Sequence, residues 1–365
     1  MTRVVHVVAA GEIGGAERLL IDLASRPDAS GAEHSIALLS PSEALARALR
    51  DTGLRIHDRG PVREDPLAYV WGALGPLDVA WIARILRDER ADVAHLHTFA
   101  SQVAGTRAAL RTGARILRTE HSTRVYVDPS CWPFSRWSLR RADRVIAISD
   151  HVRDVALAKA PWARAAIAVI RNGVDVAHFA PRPRADETSA PLRFVLVGRL
   201  EPRKGVDLAI DAITTVPDVL LDVVGDGAER ARLEAHAMAR GVSSRVRFHG
   251  YLADPRNVIA SADAGLCSSR EEGLGIAILE TMAMARAVVA LPVGGVPESV
   301  IDGETGVLAR SRSVASLAEA IRGTLDDRSR HRDLGPRARA FVVAHRSIET
   351  MCAAYGAAYA ELTRR

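Results

Sequence analysis

Short apolar runs alternate with amphipathic stretches along the whole chain. In the first half, Val4–Val8, Ser35–Leu39, Val93–Leu96, Arg115–Leu117, Val145–Ile148 and Ala168–Ile170 read as strands. They are aliphatic and β-branched runs bounded by turn formers. Between them, apolar residues at helical spacing predict helices over Ala16–Ser25, Glu43–Asp51, Leu77–Asp88 and Ser101–Arg111. The alternation pauses at Ala180–Ala190, a polar, Pro-rich stretch with the composition of a linker. It then resumes with strands Arg193–Val197, Leu220–Val224, Val246–His249, Ala264–Cys267 and Val288–Ala290. Their helices are Val206–Thr214, Ala228–Arg240 and Ile276–Ala285, and three more, Ser313–Leu325, Arg330–His345 and Ile348–Thr363, close the chain. Near-continuous apolar strands alternating with helices predict parallel βαβ units covered on both faces.

The pattern therefore has two halves of similar construction, and 365 residues exceed one ordinary core. The expected division is an N-terminal domain over 1–182 and a second over 183–345, with residues 346–365 as a closing helix. Ligands of open parallel sheets bind beyond the carboxyl ends of the strands. Functional residues are thus sought just after strands, in a cleft between two facing domains.

Composition narrows this picture without changing it. Hydrophobic residues make up 48% and charged residues 25%, as in a folded globular protein. Mean hydropathy is +0.03, yet no apolar run approaches the roughly 18 residues of a membrane span. The opening Val4–Val8 run is short and ends in Gly-rich sequence, so it reads as a strand rather than an export signal, and the expected location is the cytoplasm. Cys131, Cys267 and Cys352 are far apart and odd in number, which suggests neither disulfides nor a zinc site. A net charge of +5 with 4% aromatics argues against a nucleic-acid partner. The basic excess is partly local, with nine arginines against three acids from Arg107 to Arg144. A solvated surface is the simpler account, and peripheral membrane contact stays open.

Candidate chemistry is densest in the second half. Strand Arg193–Val197 runs into Gly198-Arg199-Leu200-Glu201-Pro202-Arg203-Lys204-Gly205. A glycine at the strand end admits a ligand to the backbone, and a guanidinium fork with a point-charge ammonium beside a helix start suits a diphosphate. Strand Ala264–Cys267 runs into Ser268-Ser269-Arg270-Glu271-Glu272-Gly273-Leu274-Gly275, then a helix from Ile276 carrying Glu280. Two carboxylates near a diphosphate serve best as acceptors for sugar and ribose hydroxyls. Either glutamate by itself reads more simply as a surface charge.

Together these segments resemble the retaining GT-B glycosyltransferases of family 4. The resemblance rests on Gly198-Arg199…Lys204-Gly205 and Glu272-Gly273-Leu274-Gly275…Glu280. Gly14-Gly15-Ala16-Glu17, Thr119-Glu120-His121, Asn172-Gly173-Val174-Asp175, Val224-Gly225-Asp226-Gly227, Phe248-His249-Gly250-Tyr251 and Gly294-Gly295 with Pro297-Glu298 add to it. These motifs lie in the family's order over most of the chain. The resemblance implies a fold of two Rossmann-like domains facing across a cleft, the final helix packing back on the first. It implies that Arg199 and Lys204 hold the donor diphosphate, Glu280 binds ribose and Glu272 the transferred sugar. Gly198, Leu274, Gly275 and Ile276 would offer backbone to the donor, and Gly14 and Gly15 would let the N-terminal loop approach its phosphates. His121 would stand near the transferred sugar or the acceptor. Leu274 occupies a position where the family commonly has an aromatic.

On the acceptor side, strand alternation puts His95 and His97 on one face. A metal site would need a third ligand, for which His121 is the nearest candidate, and structural hydrogen bonding explains the pair more simply than metal or substrate. No Asp-x-Asp triplet is present. The expectation is chemistry without metal or cofactor, cations and helix termini carrying the leaving-group charge. The acceptor attacks from the face the leaving group departs, and Glu272 serves as sugar ligand, not nucleophile. UDP-GlcNAc or UDP-glucose is favoured over GDP-mannose as donor; a glycan, glycolipid or small-molecule glycoside is the acceptor class. A nucleotide-sugar epimerase and a non-catalytic sugar-nucleotide module are the alternatives. A nicotinamide dehydrogenase fits poorly, because Gly225-Asp226-Gly227-Ala228-Glu229-Arg230 has Arg where the third glycine belongs.

Overall fold

A computed structural model describes residues 1–9, 15–39, 43–60, 75–164, 166–183 and 191–364. Its contacts divide the chain into two units, Met1–Asn172 with Ile348–Arg365, and Gly173–Ser347. Each is a doubly wound α/β domain, as the strand–helix alternation predicts.

The first unit holds a seven-stranded parallel sheet in the order β3-β2-β1-β4-β5-β6-β7. Its strands are β1 Thr2–Ala9, β2 Ala32–Leu39, β3 Arg55–Asp58, β4 Val93–Leu96, β5 Arg115–Glu120, β6 Arg144–Ala147 and β7 Ile167–Val169. The second unit holds six parallel strands, β10-β9-β8-β11-β12-β13. These are β8 Leu192–Val197, β9 Val219–Val224, β10 Val246–Gly250, β11 Ala264–Cys267, β12 Val288–Ala290 and β13 Gly306–Leu308. In both sheets the strand order reverses beside the first strand, between β1 and β4 and between β8 and β11. That reversal is where the loops at the carboxyl ends diverge and leave a crevice for a ligand.

Alternation along the strands sorts the core. Val5, Val7, Ala94 and Leu96 face helices Pro76–Asp88 and Phe99–Thr112 through Val79, Ile82, Leu86, Ala104 and Ala108. Val8, Ile36 and Leu38 face the opposite way, onto Leu20, Ala24, Leu45 and Leu49. By the same parity His6, His34 and His95 belong to that second face. Helix Ile348–Thr363 packs against this unit, on helix Pro27–Ser30 and strands β1 and β4. Gly356 permits the contact, since a β-carbon there would stand 2.1 Å from the Ser30 carbonyl oxygen.

Residues Val125–Trp137, rich in aromatics for this chain, are partly taken up by packing. Tyr126 is buried and its ring stands 5.9 Å from that of Trp132, while Phe134 packs on Ala100 and Val103. The basic stretch is likewise partly consumed, because Arg115, Arg118, Arg124 and Arg144 are ion-paired. No described helix is long and apolar enough to cross a membrane.

Candidate functional site

In the second unit the loops after β8 and β11 meet at the strand-order reversal. The chain leaves β8 at Gly198 and makes a single turn over Pro202–Lys204 before helix Val206–Thr214. Glu201 accepts from Arg199 Nε at 2.8 Å and from Arg203 Nε at 2.7 Å, so one carboxylate holds both guanidinium groups. Burial pushes the Glu201 carboxyl up, but the Arg203 hydrogen bond and the charges of Arg203, Arg199 and Lys204 outweigh it, leaving it below its ordinary value. Lys204 points the other way, across to the second loop. Its Nζ donates to Glu272 Oε2 at 2.5 Å, with the two side chains 16% and 11% exposed. Ser269 Oγ donates to the same oxygen at 3.2 Å. The structure thus brings together Lys204 and Glu272, which the residue pattern had assigned to separate partners.

Backbone contacts hold these loops at spacings that only glycine allows. Gly294, at φ +54°, lies against Glu272, where a β-carbon would come within 1.9 Å of the carbonyl oxygen; that oxygen accepts from Gly295 N–H at 3.1 Å. Gly225, at φ +139°, lies equally close to the Gly198 carbonyl. Both belong to motifs whose purpose the residue pattern alone left unstated. Helix Ile276–Ala283 starts at Gly275, which has no side chain to cap it. The N–H groups of a helix's first turn lack the usual acceptor one turn back. Here the Ile278 N–H turns to the Gly275 carbonyl at 3.0 Å, so the donors the turn can present near Glu272 are those of Ile276 and Ala277. Glu280 lies one turn further along the same helix. Gly15 is the first residue of helix Gly15–Ala24, and Gly14 lies outside the described residues.

In the first unit the reversal between β1 and β4 is occupied by histidines. Register places His6 beside His95, and the rings of His95 and His97 are 4.0 Å apart. His95 Nδ1 bonds Tyr359 Oη at 2.8 Å and its Nε2 bonds Thr119 Oγ1 at 2.7 Å. His97 bonds His6 Nδ1 through Nε2 at 2.9 Å and His121 Nε2 through Nδ1 at 3.3 Å. His6 Nε2 in turn bonds His34 Nδ1 at 2.8 Å. Ring nitrogens of His6, His95 and His97 come within 4.8 Å of one another, but all six nitrogens of the three rings are already engaged by protein groups. A cation would have to break those bonds, so hydrogen bonding accounts for the cluster and the set does not fit a metal centre. Burial holds the cluster neutral: it lowers His34 and His121 to about 4 each, and lowers His6, His95 and His97 too, helped by repulsion among the rings.

Two family models match this chain: Glycosyltransferase Family 4 over residues 13–178 and Glycosyl transferases group 1 over residues 182–341. An alpha-maltose-1-phosphate synthase of Mycolicibacterium smegmatis is 32% identical over 69% of this chain and 74% of its own length. The chain belongs to the family 4, group 1 glycosyltransferases. Among its relatives are a Mycobacterium tuberculosis glycogen synthase, 37% identical over 52% of this chain and 47% of the relative. The chain's match therefore spans about half the length of that relative. A GDP-mannose-dependent phosphatidylinositol monomannoside mannosyltransferase of the same organism is 32% identical over 68% of this chain and 70% of its own. In fold, the chain is similar to Anabaena HepE, solved with UDP and glucose, with a TM-score of 0.84 at 23% identity over 99% and 100% of the two chains. Likeness at that identity speaks for the GT-B fold alone.

Within this family 4 glycosyltransferase, two features escaped the residue pattern. Arg270 forks onto Asp207, at 2.8 and 2.7 Å, and also reaches the Pro202 carbonyl at 2.9 Å. It thereby ties the Glu272 loop to the Lys204 loop. Nothing in a run of Arg and Glu distinguishes such a brace from solvated charge. The second feature is the extent of the histidine network. Its signal was partly present, because 6 and 34 keep one parity and 95, 97, 119 and 121 another, but joining the two sets on one face requires the strand register.

Proposed function

We propose that this protein is a retaining glycosyltransferase that moves a hexosyl unit from a nucleotide-diphosphate sugar to an acceptor hydroxyl. The observation that carries the reading is the meeting of Lys204, Glu272 and the Ile276 helix start at the β8/β11 reversal, with Arg199 held by Glu201 on the Lys204 loop. Guanidinium, ammonium and aligned backbone N–H groups together suit a departing diphosphate, which gains charge as the glycosidic bond breaks. Glu280, further along that helix, binds ribose hydroxyls. Glu272 binds hydroxyls of the transferred sugar, with Leu274, Gly275 and Ile276 offering backbone. Gly14, Gly15 and Gly198 allow close approach of backbone to the donor, and His121 stands near the transferred sugar or acceptor.

The reaction proceeds without metal by same-face attack, the leaving phosphate oxygen taking the acceptor's proton. Supporting this, Glu272 Oε2 is bound to both Lys204 and Ser269, an orientation suited to a fixed ligand more than to an in-line nucleophile. A covalent sugar–Glu272 adduct seen by mass spectrometry would overturn the same-face route. UDP-glucose or UDP-GlcNAc is the favoured donor. GDP-mannose is the second reading, favoured by the mannosyltransferase relative.

A thermal-shift screen of UDP, GDP and ADP sugars, followed by product mass with candidate acceptors, tests the proposal. The expected result is stabilisation by one nucleotide class, reduced at least severalfold in apparent affinity by Lys204→Ala and by Glu280→Ala. Undiminished stabilisation in both variants would show that the donor site is elsewhere. Turnover of the donor with no acceptor present would favour an epimerase.

A further inference from the structure

The histidines of the first unit form a line with two distinct ends. Ser30 Oγ stands 2.7 Å from His34 Nε2 and 3.2 Å from the Pro27 carbonyl oxygen. The line then runs His34 Nδ1 to His6 Nε2, His6 Nδ1 to His97 Nε2, and His97 Nδ1 to His121 Nε2. At the far end His121 Nδ1 is buried with no hydrogen-bond partner. Every link joins the δ nitrogen of one ring to the ε nitrogen of the next. A neutral imidazole carries one N–H and one lone pair, so the four rings share a single polarity if every link is a hydrogen bond.

The two polarities are not equivalent. With all four rings protonated at Nε2, each donates toward Ser30, which accepts from His34 and donates its own hydroxyl hydrogen to the Pro27 carbonyl. His121 Nδ1 is then a bare lone pair. With all four protonated at Nδ1, Ser30 donates to His34 instead, its bond to Pro27 is lost, and His121 is left with a buried N–H that has no acceptor. The second arrangement makes one hydrogen bond fewer and orphans a donor, which folded proteins rarely tolerate.

We propose that Ser30, His34, His6 and His97 are positioning residues that hold His121 in its Nε2–H tautomer, so that Nδ1 presents a lone pair to a hydroxyl of the sugar substrate. The choice of a sugar hydroxyl rests on the glycosyl-transfer reading; the tautomer assignment does not. Neutrality supports the line, since burial lowers all four imidazoles below their ordinary value. His95 stands apart, its two ring nitrogens bonded to the Tyr359 and Thr119 hydroxyls.

The test uses the full chain labelled with ¹⁵N-histidine at pH 7.5, with no nucleotide added. Long-range proton–nitrogen correlations report which nitrogen of each ring is protonated, and single His→Gln variants assign the signals. His34, His6, His97 and His121 are all expected as Nε2–H. Ser30→Ala removes the terminal acceptor, and it is expected to move all four rings toward Nδ1–H, His121 included, while Ser30→Thr restores the wild-type pattern. One ring of opposite tautomer in the wild type overturns the proposal, as does a Ser30→Ala effect confined to His34 or a metal-shifted nitrogen on His6 or His97. If Ser30→Ala does not fold, the wild-type tautomers decide alone. Failure here leaves the nucleotide thermal shift untouched, and failure of that shift leaves the tautomers untouched.

Discussion

Gly294 acts at the candidate donor site through the β-carbon it lacks. At φ +54° and with the Glu272 carbonyl 1.9 Å from where that atom would lie, alanine faces both left-handed strain and a backbone clash. The conformational term alone costs about 1–2 kcal/mol, and the clash moves the Glu272 loop. Gly294→Ala should therefore lower the urea midpoint and also abolish nucleotide-induced stabilisation, although residue 294 carries no chemistry. Gly323→Ala is the control, because a β-carbon there meets nothing within 4 Å. Full retention of nucleotide response in Gly294→Ala would show that the Glu272 backbone position is immaterial. At this scale the motif residues Arg199, Lys204, Glu272 and Glu280 were legible because spacing and residue type carry the information. The Lys204–Glu272 pair was not, since it joins residues 68 apart in sequence through a fold that a local pattern does not encode.

Among elements, the brace between the two loops is Arg270 on Asp207. The Asp207 carboxyl is held below its ordinary value, first by the Arg270 hydrogen bond and then, against opposing burial, by its charge. A depressed folded value means the contribution is fully present above the unfolded carboxylate range, near 3.9, and is lost as pH falls through the folded value. Arg270 is 43% exposed, so solvent screening limits the pair to about 0.5–1 kcal/mol. A double-mutant cycle of Arg270→Ala and Asp207→Asn should return a coupling of that size at pH 7, shrinking in high salt. Zero coupling at low salt would mean the fork braces nothing. The elements themselves were mostly readable from periodicity. The strands that the pattern did not yield, β3 Arg-Ile-His-Asp and β13 Gly-Val-Leu, are short and sit at sheet edges, where one-sided pairing relaxes the demand for an apolar run. Helix Asp150–Lys159 also left little trace, because it buries only Val152 and Ala156.

For the molecule as a whole, the consequence of burying histidines is a sensitivity to acid. His6, His34, His95, His97 and His121 all belong to the first unit, and all are held below the ordinary imidazole value by burial. In the unfolded chain each takes up a proton as pH falls past about 6.5, whereas the folded rings do not. The unfolded state then binds more protons, and stability drops as pH is lowered. For His34 and His121, both lowered to about 4, the window runs from about pH 6.5 down to about 4. Each such ring contributes a slope of up to about 1.4 kcal/mol per pH unit. In the second unit, His331 is lowered to about 4 by burial. Hydrogen exchange of the intact chain, corrected for intrinsic rates, should therefore show protection in β1 and β4 falling steeply from pH 6.5 to 4.5, and more steeply than in β8 and β11. Unchanged protection in β1 and β4 across that window would contradict the buried, neutral cluster. The same burial that makes the first unit acid-labile is what allows a line of imidazoles to keep one polarity, since a protonated ring anywhere along it would carry two donors and break the succession.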